Sequence, residues 1–223
     1  MGSEMCIRDR FKLGDRFASH MTPMDAEKLV RSWLASERIE IREQEDPRAQ
    51  MHLLVKYPQG KNGHMFAVVI PKNRDLLAIS SMTRVDEGQQ SAMRDLMKSD
   101  NDEWKTWMHE CRMQLIASGV DWGIHLGHSG TERPGPLQAF NVSEPLWFDG
   151  LTKNEMMQNL RSLWLAKLGV IHEIKYTFGT GSGQPGPVDD WKNKKDSKQR
   201  VGRPSPPQAV SYTHLRAHET DSY

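Results

Sequence analysis

Hydrophobic and polar positions along this chain change period repeatedly, and each change predicts an element. From Asp25 onward Leu29, Val30, Trp33 and Leu34 recur three and four apart, while Glu27, Lys28, Arg31 and Ser32 fill the other face. That is the spacing of an amphipathic helix. Ile39 and Ile41 then alternate with polar neighbours, and Asp46-Pro47 marks a turn. Met51, Leu53, Val55 and Tyr57 alternate with His52, Leu54 and Lys56, the period of two of a half-buried strand. The turn residues Gly60 to Gly63 lead into a Val/Ile-rich run, His64 to Ile70. Pro71 to Asp75 turns the chain again before Leu76 to Met82. Strands this close together predict an antiparallel meander.

Helical spacing returns with Ala92, Met93, Leu96 and Met97. A second helix is predicted with Asp102 as its cap and Trp104, Trp107, Met108, Cys111, Leu115 and Ile116 on one side. Gly119 stands where a helix stop belongs. Val120 to Leu126 and Leu137 to Phe148 read as strands, separated by a Gly/Pro-rich loop. Thr152 and Glu155 form a capping-box pattern at the head of the longest apolar stripe, Met157, Leu160, Leu163, Trp164, Leu168, Ile171 and Ile174, running to Phe178. A helix of about 25 residues would be roughly 38 Å long. That is more than one sheet face needs, and spare apolar length points to a partner, often a second copy. The expected class is α+β: helix, three-stranded antiparallel meander, one or more helices, two or more strands, long C-terminal helix.

Beyond Gly179 the composition shifts to Gly, Pro and Lys, so 179–209 is expected to be a disordered basic tail. The two ends carry a different signal. Met1 to Asp9 can be back-translated to a codon string whose reverse complement reads Val210 to His218. An inverted repeat in DNA at both ends is expected of translated sequencing adapter on a short environmental fragment, so 1–10 and 210–223 are set aside as artefact. Segment 11–20 is left as uncertain upstream sequence, and 21–178 as a single domain.

The 223 residues hold 37% hydrophobic and 26% charged side chains, with 30 basic against 29 acidic. The set-aside ends remove three basic and four acidic residues and leave the domain near neutral. Neither a fully disordered chain nor a polyionic one fits. No apolar run approaches a membrane span. With Cys6 set aside, Cys111 is the sole cysteine, which favours a reducing, cytoplasmic setting.

Candidate chemistry is thin. His125 and His128 are three apart on a predicted strand and point to opposite faces, so they converge on a metal only if the chain turns at Gly127. His109 and Cys111 are two apart on a helix and share no face, whereas Cys111 continues an apolar stripe. The glycines of Phe178 to Gly183 outline a phosphate cradle but lack the following Lys-Ser/Thr and helix, and read as a linker. Lys192, Lys194, Lys195, Lys198 and Arg200, beside Trp191, have the make-up of a weak nucleic-acid tail or of a solvated one. No metal, cofactor or catalytic set is predicted.

Leu146-Trp-Phe-Asp-Gly-Leu-Thr-Lys-Asn-Glu155, running into the long helix, resembles the signature of a family of small uncharacterised archaeal proteins. Ile39-Glu-Ile41, Asp46-Pro47 and Leu53-Leu-Val-Lys-Tyr-Pro58 add to the likeness, which spans about 24–178. The resemblance implies a fold like that of the type III secretion chaperones, which are acidic homodimers that hold an extended segment of a client. This chain departs in being near neutral and in carrying a basic tail. The expected function is therefore a non-catalytic, homodimeric protein-binding or chaperone-like module with an unknown protein client and no membrane association. Met157, Leu160, Trp164 and Ile171 are its expected dimer or partner surface. A nucleic-acid protein using the tail, and a metal protein or enzyme built on His125 and His128, are the alternatives.

Overall fold

The computed structural model describes residues 21–60, 63–127 and 135–188. Helix α1 (Pro23–Ser36) is followed by four strands, β1 (Ile41–Glu43), β2 (Ala49–Tyr57), β3 (His64–Pro71) and β4 (Leu76–Arg84). Helices α2 (Glu87–Ser99) and α3 (Asn101–Ala117) precede β5 (Asp121–Leu126), β6 (Leu137–Trp147) and α4 (Lys153–Phe178). The strands form one antiparallel sheet in the order β1-β2-β3-β4-β6-β5. This is the expected α+β arrangement, with β1 added as a three-residue edge strand.

Local chemistry places the helix ends. Thr22, three residues before the first expected helical residue, caps α1 by accepting the Asp25 N–H at 3.2 Å, with Pro23 at the position where a missing N–H costs nothing. The cap of α3 is Asp100 and not Asp102: Asp100 accepts from the N–H groups of Asp102 and Glu103, and Asp102 already lies inside the helix. Thr152 caps α4 through the Glu155 N–H at 3.1 Å. Gly119 ends the α3 segment with φ +73°, a conformation that penalises any side chain.

One sheet face is apolar and covered. Register puts Leu53, Val55, Phe66, Val68, Leu77, Ile79, Phe140 and Val142 on the same side, and all are buried in one cluster with Val30 and Leu34 of α1, Trp104 and Leu115 of α3, and Leu160 and Leu163 of α4. The opposite face leaves Met65, Met82 and Trp147 exposed, while Val69, Leu76, Ala78 and Ala139 on it are buried. At the far end of α4, Trp107 stacks on Trp104 with ring centroids 5.4 Å apart and meets Phe178 edge-on at 4.8 Å. The Trp107 indole also donates to the Glu173 carboxylate at 3.2 Å, which fastens α4 to α3.

The central ladder is short. Strands β3 and β4 pair at Ala67–Ser80, Val68–Ile79 and Val69–Ala78. Past Ser80 the two strands keep their outer neighbours, Tyr57 for His64 and Phe140 for Thr83, but no longer pair with one another.

The tail expected to be disordered from 179 is docked for its first ten residues. Asp86, the N-cap of α2, accepts from the backbone N–H of Gly88 at 2.8 Å and of Ser182 at 2.7 Å. Glu87 donates its backbone N–H to Gln184, Gly186 donates to Val85, and Val188 is buried. A Cβ on Gly181 would come within 2.5 Å of the Asp86 carboxyl carbon, so this glycine is required for the close approach. The linker reading fails here because the glycine-rich turn wraps the protein's own carboxylate.

Candidate functional site

The long helix decides which candidate residues are surface. Its buried positions are Met156, Leu160, Leu163, Ala166, Lys167, Val170 and Ile174, spaced three or four apart except for the adjacent Ala166 and Lys167. Leu160, expected on a partner surface, is fully buried; it packs in the core of its own chain and is unavailable to a partner. Met157, Trp164 and Ile171 lie on the shoulder of the helix, half-buried against that core. The stripe read from the sequence shares Leu160, Leu163 and Ile174 with the core face but is centred about 60° away from it. Lys167 sits at the middle of that face, where an apolar pattern has no place for a lysine.

Lys167 is 7% exposed. Its ammonium donates to Ser81 Oγ at 2.8 Å and lies 5.6 Å from the Phe66 ring centroid. Ser81 in turn donates to the Met65 carbonyl at 2.7 Å. Ser81 thus serves a backbone acceptor at the point where β3 and β4 part, and Lys167 fills the gap from above. Burial pushes the Lys167 ammonium down to about 8. On α4 and on the adjoining β3 and β4, three polar atoms are buried without a hydrogen-bond partner: Trp164 Nε1, Thr83 Oγ1 and His64 Nδ1. His64 is held below its ordinary value by desolvation first, then by the charges of Lys167 and Lys175.

The outward side of the helical layer has a different character. Met113 and Ile116 on α3 and Leu165 and Tyr176 on α4 are exposed. Between the helices runs a groove of about 300 Å³ lined by Gln114, Ser118, Ser162, Leu165, Ala166 and Gly169. Gln114 of α3 lies over Gly169, and Ala166 is buried in the core, so Leu165 is the apolar side chain that stands out from the groove.

Other candidates carry less. A shallow cleft of about 380 Å³ near Arg31, Glu43, Asp46 and His52 is lined with charges already committed. Glu27 and Glu43 hold Arg31, and Asp46 is kept below the usual carboxylate range by the Arg48 N–H. Cys111 is buried and its thiol is pushed up to about 11, chiefly by burial, which fits packing and not nucleophilic attack. His109 is exposed on the other side of α3. His125 is half-buried in β5, while His128 lies outside the described residues, as do Lys192, Lys194, Lys195, Lys198 and Arg200. Among the described residues no group of three or more His, Cys, Asp or Glu converges on a possible metal position, and no helix is long and apolar enough to cross a membrane.

The class these features define is a two-layer α+β domain: an antiparallel sheet of six strands with its helices on one face. The chain belongs to the family DUF2299, described as an uncharacterized conserved protein, whose match spans residues 26–174. Among solved structures it is similar to an uncharacterized protein from Methanothermobacter thermautotrophicus, with a TM-score of 0.59 and 27% identity over 69% of this chain and 99% of that one. Comparison with curated proteins returns no match.

Proposed function

We propose that this domain is a non-catalytic, chaperone-like protein-binding module that works as a homodimer joined through the outward face of α3 and α4. The observation that carries the reading is Leu165, 48% exposed on the rim of a groove that Gln114, Ser118 and Ser162 also line. An antiparallel copy of α4 crossing at this point sets the two Leu165 side chains against one another. The same crossing brings exposed Glu155 level with exposed Lys175 of the second copy, since both stand ten residues from Leu165. Exposed apolar side chains around a groove are the usual mark of an interaction site. On the sheet face opposite the helices, the exposed Met65, Met82 and Trp147 stay free for a client segment.

The test is the solution mass of the full chain by light scattering over a concentration series. A dimer is expected, and Leu165→Glu is expected to give a folded monomer, because its side chain leaves no core position. A wild-type chain that remains monomeric at high micromolar concentration defeats the reading.

A further inference from the structure

The buried cluster around Lys167 is unexplained by a role in protein binding. Lys167 is the one ionisable side chain among the buried polar residues Ser81, Gln89, Gln90, Gln138 and Lys167. A buried ammonium ordinarily has a carboxylate beside it, because desolvation alone costs several kcal/mol. Among the described residues no carboxylate counters the effect of burial on Lys167. Nor does one offset the two lysines felt by His64. The ammonium has three donors, and its bond to Ser81 uses one.

Placement brings further donors into the same neighbourhood. Trp164 precedes Lys167 by one helical turn. Thr83 lies two residues beyond Ser81 on the same face of β4, and His64 two residues before Phe66 on the same face of β3. Continuing the β3–β4 register past Ala67–Ser80 sets His64 across from Thr83, in the stretch where the ladder has stopped. Lysine and tryptophan can only donate, and the threonine hydroxyl and an imidazole N–H can also do so. Four donor groups thus stand on the elements that border the break in the sheet, and the last three have no acceptor among the described residues.

We infer that Lys167, Trp164, Thr83 and His64 form a binding site for a single oxyanion, a carboxylate or a phosphate group, seated between α4 and the parted ends of β3 and β4. An oxyanion supplies the acceptors that this cluster lacks and neutralises the ammonium at low local dielectric, where charge-assisted bonds are strong. Entry requires α4 to lift locally at Lys167, since this side chain is 7% exposed.

The experiment uses the full chain at pH 7 in a buffer free of other oxyanions, with ionic strength held constant by sodium chloride. Sodium acetate and sodium phosphate are titrated separately, following the melting temperature and the Trp164 indole N–H resonance. The expected result is a saturable rise in melting temperature with movement of that resonance. Lys167→Met, which keeps the bulk and removes the charge, should weaken the response by about tenfold or more. Trp164→Phe keeps the ring packing and should weaken it less. A response to acetate alone assigns a carboxylate, such as an acidic side chain or a chain terminus; a response to phosphate alone assigns a phosphoryl group. No response in the wild type, or an equal one in both variants, overturns the site and leaves Lys167 as a structural plug for the sheet.

Discussion

A lysine at a core position makes stability depend on pH through the loss of a proton on folding. Lys167 titrates at about 8 in the folded chain and, when unfolded, near the ordinary lysine value of about 10.4. Between those values the unfolded chain holds a proton that the folded chain has released, so raising the pH favours folding. Below about 8 both states are protonated and this contribution is flat. The gain across the whole window is roughly 3 kcal/mol, at about 1.4 kcal/mol for each pH unit that separates the two values. Urea unfolding at pH 7.5 and pH 10 should show the rise in wild type and lose it in Lys167→Met. That variant should also be no less stable at pH 7.5, since removing an uncompensated buried charge offsets the lost hydrogen bond. An unchanged pH slope in the variant would assign the effect to other groups.

At the scale of the element, α4 carries two faces with different duties. Leu160→Ala opens a cavity beneath the helix and should cost about 2–5 kcal/mol. Leu165→Ala, on the outward face, should change the stability of the monomer by no more than about 0.5 kcal/mol. Urea midpoints of the two variants, measured at a concentration below any association, decide the rotation of the helix about its axis. Comparable losses at both positions would contradict the assignment of Leu165 to the surface. The sequence locates α4 well because its cap chemistry and apolar spacing are local properties; the expected span to Phe178 matches the observed Lys153–Phe178. Its rotation is not legible in the same way. Trp164, Leu168 and Ile171 outweigh Lys167 in any count of apolar positions, although the sheet receives Lys167.

At the scale of the whole molecule, the contact between Asp86 and Ser182 ties the chain after α4 back to the junction of β4 and α2. Backbone N–H groups from Ser182 and Gly88 hold the Asp86 carboxyl below the usual carboxylate range, with Ser182 the largest contributor. This contribution is therefore present above the ordinary aspartate value and is lost as the pH falls through the lower, folded one. Asp86→Ala should lower the melting temperature and expose 179–188 to proteolysis, while Asp86→Asn should retain part of the cap. Equal cleavage rates in wild type and Asp86→Ala would show that the docked segment does not depend on this carboxylate. The glycines that read as a linker from 179 onward have positive φ at Gly179, Gly181 and Gly183. Flexible composition and an ordered, tightly turned segment look alike in sequence; what separates them is a partner 96 residues away along the chain. The sequence alone determined the class of fold and nearly every element, because alternation, helical periodicity, capping residues and turn glycines act within a few positions. Tertiary structure decided the rest: the sheet order that places β6 between β4 and β5, the early end of the β3–β4 ladder, the burial of Leu160 and Lys167, and the docking of 179–188 on Asp86. Each of these depends on groups brought together across many residues, and no local pattern encodes which distant surface a side chain will meet.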